Sequence, residues 1–161
     1  LNHEAFHAYL ENFVYAHDQT DVPRWLNEGL AQVFEEGQLE AGTLRLDAAS
    51  PKRLAALQTA LRGESQPTSK SLAELLTADA HTFLTSHSTS AELSQRHYLY
   101  SWGLAHYLAV RQPILEVARL GGYVKADNGQ QDPIARFERF VGSPLAEFAS
   151  IWSKEMLAMR P

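Results

Sequence analysis

The chain opens on His3-Glu4-Ala5-Phe6-His7, an H-E-x-x-H pentapeptide. On an α-helix, residues four apart lie one turn above each other on the same face, so both imidazoles can reach a single metal ion. Glu4 stands about 100° round from His3, near enough to hold a water at that ion without ligating it. A tetrahedral Zn²⁺ centre for hydrolysis takes three protein ligands and keeps one position open. A third ligand must therefore come from elsewhere. Glu28, about twenty residues after His7, is available within Trp25-Leu26-Asn27-Glu28-Gly29-Leu30-Ala31, which reads as a second helix.

This arrangement resembles the gluzincin branch of zinc metallopeptidases, the thermolysin and aminopeptidase type. The phrase Pro23-x-Trp25-Leu26-Asn27-Glu28-Gly29-Leu30-Ala31 is similar to that of the peptidase-MA-like bacterial families in this group. The resemblance implies that His3, His7 and Glu28 ligate Zn²⁺ and that Glu4 is the general base. It implies hydrolysis of a peptide or protein substrate by zinc-activated water. Tyr100-Ser101-Trp102-Gly103 resembles the tyrosine-x-x-glycine of gluzincin aminopeptidases, which implies that the Tyr100 hydroxyl donates to the oxyanion. Tyr98 is its closest competitor. His97 and His106 stand further out, because thermolysin uses a histidine there. Trp102 and Tyr107 read as core.

Two features depart from the pattern. Thermolysin-like sequences place an aspartate one turn after the glutamate ligand, to accept from a metal-bound imidazole; Gln32 occupies that position. The aminopeptidase motif Gly-x-Met-Glu-Asn does not occur, and its place would lie upstream of His3. Two rival readings use the same site: a catalytically silent zinc-binding scaffold, and a zinc hydrolase acting on a non-peptide amide. The intact Glu4 argues against the scaffold, which has no chemical need for a base.

Composition narrows the field. The chain has no cysteine, which excludes disulfides and thiolate ligands. A net charge of −5 argues against non-specific nucleic-acid binding. No apolar run has the length to span a bilayer. At 161 residues the chain reads as one domain, with a metal-binding helix pair in 1–37 and a helical remainder in 38–161. The first ligand is the third residue, and gluzincin-like proteins carry a β-sheet before this helix. The expectation is thus the C-terminal part of a longer protein, with that sheet and any targeting region upstream. An extracytoplasmic or membrane-anchored location stays open.

Periodicity predicts a mainly α fold. A first helix is expected over 2–17, with Phe6, Leu10 and Phe13 inward. A second is capped by Thr20 or Asp21, has Pro23 in its first turn and a Leu26, Leu30 and Val33 stripe, and stops at Gly37. Gly29 suggests close helix packing and also room beside the metal. A small hairpin or irregular excursion follows over 38–46. Helices are expected over 51–62, from Ser71 to Leu76 through a capping box, over 96–111, over 113–120 closed by Gly121-Gly122, and over 133–141 and 144–159. Ser143 is the expected cap of the last of these. Residues 77–95 read as a loop with one or two helical turns, and Asn128-Gly129 as a turn. His17, His81 and His87 read as isolated histidines.

Overall fold

The computed structural model describes residues 2–9, 22–40, 43–45, 49–79, 83, 88–111, 117–125 and 131–160, and they are mainly helical. In chain order come α1 (Asn2–Tyr9), α2 (Arg24–Glu35), the strands β1 (Gln38–Glu40) and β2 (Thr43–Arg45), α3 (Pro51–Arg62) and α4 (Thr68–Leu76). Then follow α5 (Ser88–His106), which runs on into a π-helical turn (Tyr107–Arg111), α6 (Val117–Val124), α7 (Pro133–Val141) and α8 (Leu145–Ala158). Among the described residues, no helix is long and apolar enough to cross a membrane.

α2 organises the packing, lying against α1 on one side and along α5 on another. Its expected stripe of Leu26, Leu30 and Val33 is buried, joined by Trp25 and Ala31. A Cβ on Gly29 would stand 2.3 Å from the carbonyl oxygen of Ser101 and 2.8 Å from the Ala105 Cβ. The glycine therefore lets α2 and α5 meet backbone to backbone. Close packing is the reason for it.

The far face of α5 meets α3 and α8. Gly103 admits Leu57 and Trp152, whose atoms would stand 2.6 and 3.2 Å from an added Cβ. The expected inward residues of α3, Leu54, Leu57 and Leu61, are all buried. α6 and α7 close the start of α2: the Trp25 indole N–H donates to the Tyr123 hydroxyl at 3.1 Å, and Phe137 meets the Trp25 ring edge-on.

Helix ends follow local chemistry. Ser50 accepts from the Arg53 N–H ahead of α3, and Asp132 accepts from the Ala135 N–H ahead of α7. Gly142 ends α7 in the left-handed region at φ 80°, where a side chain would be strained.

The structure corrects several boundaries. Pro23 is the residue before α2, not in its first turn, and Pro144 likewise precedes α8 where Ser143 was expected as cap. α4 begins at Thr68, so Ser71 is buried inside the helix, accepting from the Gln66 amide at 3.1 Å instead of capping. α5 begins at Ser88, inside the expected loop. α6 runs through Gly121-Gly122, both exposed, instead of stopping there. Within the expected 38–46 excursion, β1 and β2 pair antiparallel, Gln38 with Arg45 and Glu40 with Thr43. Residues 10–21, which hold the expected second half of the first helix, Thr20, Asp21 and His17, lie outside the described residues. So do His81, His87 and Asn128-Gly129.

Candidate metal centre

α1 and α2 bring three donor atoms together. His3 and His7, one turn apart, face each other with their Nε2 atoms at 3.1 Å. Glu28 Oε2 lies 3.4 Å from His3 Nε2 and 3.8 Å from His7 Nε2. Bonds of about 2.0–2.1 Å to a tetrahedral ion would set ligand atoms about 3.3–3.4 Å apart. The triangle matches that size, and the three residues could hold a metal ion.

Neighbouring side chains fix how these donors point. His7 Nδ1 lies 3.0 Å from Asn27 Oδ1; in the tautomer that donates to this oxygen, Nε2 is left as the ligand atom. Glu28 is only 3% exposed, so its charge needs a partner. The Arg24 guanidinium provides one from a turn earlier, with Nη2 3.0 Å from Oε1. Oε1 is thereby occupied and Oε2 is left for the imidazoles. Arg24 Nε is buried, with no hydrogen-bond partner among the described residues, a state that costs about 1–3 kcal/mol or more for a charged group. Gln32 does not serve the imidazoles. Its amide donates to the backbone carbonyls of Glu28 at 3.2 Å and Tyr98 at 2.9 Å, tying α2 to α5.

The two tyrosines of α5 part ways, because residues two apart on a helix point about 200° away from each other. Tyr98 adjoins α2: its backbone carbonyl accepts from the Gln32 amide at 2.9 Å, and its phenol lies within electrostatic reach of Glu28, Arg24 and Glu4. Burial, then the Glu28 carboxylate, push its phenol above the ordinary value, while Arg24 opposes them. Tyr100 is not brought to the triad. It is buried, its ring stands edge-on to Trp152, and its hydroxyl donates to Glu64 Oε1 at 2.7 Å. Burial and that contact raise its pKa strongly. The Tyr-x-x-Gly stretch is thus a packing device, with Tyr100 on Trp152 and Gly103 against Leu57. Glu4 is exposed on α1, on the Tyr98 side.

A family model described as "Protein of unknown function (DUF1570)" matches residues 1–121 of the 161. The chain belongs to the DUF1570 family. The DUF1570 match takes in the triad together with Arg24, Asn27 and Tyr98. Neither a curated protein nor a solved structure matches the chain.

The remaining aromatic and histidine candidates of this DUF1570 chain lie in its core. His97 packs against Phe83, and His106 against Trp102. The Trp102 indole donates to Glu36 Oε2 at 3.0 Å, and Tyr107 stands edge-on to Phe148. Asn27 and Arg24 escaped notice in the sequence, although a signal was there. Asn27 adjoins the glutamate ligand, and Arg24 precedes it by the four residues that suit a helical ion pair.

Proposed function

We propose that this DUF1570 chain is a zinc-dependent metallopeptidase of the gluzincin type, acting on peptide or protein substrates. The observation that carries the reading is the triangle of His3 Nε2, His7 Nε2 and Glu28 Oε2, with edges of 3.1, 3.4 and 3.8 Å. Two imidazoles and one carboxylate form a donor set suited to Zn²⁺, with a fourth position for a reactant. When bound, Zn²⁺ would acidify water and polarise a carbonyl oxygen.

The chain's own residues supply the rest. Glu4 takes a proton from the attacking water and returns it to the leaving amine nitrogen. Tyr98, in place of Tyr100, donates its hydroxyl to the oxygen that gains negative charge. A phenol is protonated, hence a donor, at neutral pH, and burial shifts this one further from ionisation. Arg24 and Asn27 hold Glu28 and His7 in the orientation the ion requires.

The test is Glu4→Gln, which keeps the side-chain shape and removes the base. Zinc stays bound, and cleavage of a peptide library falls at least about a hundredfold. Equal activity in the variant removes Glu4 from the mechanism. A zinc-loaded wild type that cleaves no peptide overturns the peptidase reading.

A further inference from the structure

His3 presents its two ring nitrogens to two different carboxylates. Nε2 faces the triad, 3.4 Å from Glu28 Oε2. Nδ1 lies across the ring from it, and there Glu35 Oε2 stands 3.9 Å away. Glu28 and Glu35 are seven residues apart, which puts both on one face of α2, two turns from each other. α1 crosses that face with His7 beside Asn27 and His3 beside Glu35. Phe6 stacks on Phe34, ring centroids 4.4 Å apart, and this seats His3 over the last turn of α2.

Glu35 is held from a third helix. Arg53 of α3 donates from Nη2 to Glu35 Oε2 at 3.0 Å and from Nη1 to the Gln32 carbonyl at 3.1 Å. The same guanidinium pairs with Glu36 Oε1 at 3.0 Å, while Glu36 Oε2 accepts from the Trp102 indole of α5. Of these two neighbouring carboxylates, only Glu35 pairs with an imidazole among the described residues. Its side chain is 44% exposed, and exposed ion pairs add little to stability. What Arg53 does for Glu35 is fix where its carboxylate stands.

A metal-bound imidazole donates its other ring N–H to a carboxylate, a carbonyl or water, which orients the ring and makes it a stronger ligand. Asn27 offers such an acceptor to His7. Gln32 offers none to His3, because its amide is used on the Glu28 and Tyr98 carbonyls. A carboxylate has about four lone-pair sites, so the bond from Arg53 leaves room on Glu35 for a second donor. An N–H···O bond spans about 2.7–3.2 Å, and an exposed side chain needs to move only about 1 Å to close the gap.

We infer that Glu35 is the positioning residue of His3: steadied by Arg53, it accepts the Nδ1 proton and keeps Nε2 turned to the metal. The inference rests on the zinc site proposed above and not on peptide cleavage. It adds α3 to the frame of that site.

Chelator competition for zinc, with Glu36→Ala as the control, tests this. Both variants remove one negative charge and one partner of Arg53, but only Glu35→Ala takes the acceptor from His3. Glu35→Ala weakens zinc binding about 10–100-fold, with its metal-free unfolding midpoint near that of wild type. Glu36→Ala stays within about threefold of wild type, too little for a lost ligand partner. Nitrogen-15 NMR of the zinc-loaded protein gives a readout that a structural clamp does not move. The His3 Nδ1 proton exchanges slowly with water in wild type and faster in Glu35→Ala, while the His7 ring proton is unaltered. Equal losses of affinity in the two variants overturn the inference, and so does a His3 ring proton indifferent to Glu35→Ala. Undiminished affinity in Glu35→Ala overturns it and leaves the zinc site standing. A wild type that binds no zinc overturns both.

Discussion

Gly29 faces Ser101 so closely that a Cβ on the glycine would stand 2.3 Å from the serine carbonyl oxygen. α2 and α5 therefore touch one residue from Glu28, and that contact sets the depth at which Glu28 meets the imidazoles of α1. Gly29→Ala forces the two helices apart. Overpacking of this kind costs about 1–3 kcal/mol. Denaturant unfolding of the metal-free variant shows that loss, and zinc affinity drops with it because Glu28 is displaced. An unchanged unfolding midpoint would mean the helices do not meet this way.

Tyr98→Phe and Tyr100→Phe separate the two tyrosines. Removing the Tyr98 hydroxyl lowers kcat by about 10²–10³ with little change in KM, since the charge it meets exists only near the transition state. Removing the Tyr100 hydroxyl leaves kcat near wild type and lowers stability by about 1 kcal/mol, through the lost bond to Glu64. A rate loss confined to Tyr100→Phe would return the donor role to that residue.

Asn27→Ala takes the acceptor from His7 Nδ1 and frees the imidazole to rotate or change tautomer. Loss of such a partner weakens metal affinity about 10–100-fold. Competition against a chromogenic chelator measures it. Unaltered affinity would show that Asn27 does not orient His7.

His97 makes folding sensitive to acid. Burial chiefly, then the neighbouring Arg96, lower its pKa from the ordinary 6.5, with Glu74 opposing. Below about 6.5 the unfolded chain takes up a proton that the folded chain resists. Stability is thus lost as pH falls from about 6.5 through the lowered folded value. Neither ring nitrogen of His97 has a hydrogen-bond partner among the described residues, so His97→Leu removes no such bond and flattens the dependence. Parallel slopes for wild type and variant between pH 5 and 7 would contradict this.

Local spacing made much of the architecture legible. H-E-x-x-H and Glu28 depend only on helical periodicity plus the packing of two helices. The buried Leu54, Leu57 and Leu61 follow from the same period. What stayed hidden was set by tertiary contacts. Whether Tyr98 or Tyr100 meets α2 depends on the rotation of α5. That rotation is fixed by Gly29 against Ser101 and by Gly103 against Leu57, contacts between residues far apart in the chain. Polar composition hid the start of α5 at Ser88, because a helix anchored by the buried stretch from Tyr100 to His106 tolerates a poorly patterned first half. The glycine pair in α6 lowers helix propensity by about 1 kcal/mol each, yet the helix continues to Val124. The buried Tyr123 and Val124 beyond the pair supply packing that offsets this.

The proposal that His3, His7 and Glu28 form a zinc site is tested most directly by the zinc content of purified protein, beside that of Glu28→Ala. One zinc per chain is expected in the wild type, and most of it is lost from Glu28→Ala at the same free zinc concentration. A Glu28→Ala protein that keeps a full equivalent at wild-type affinity would contradict the site.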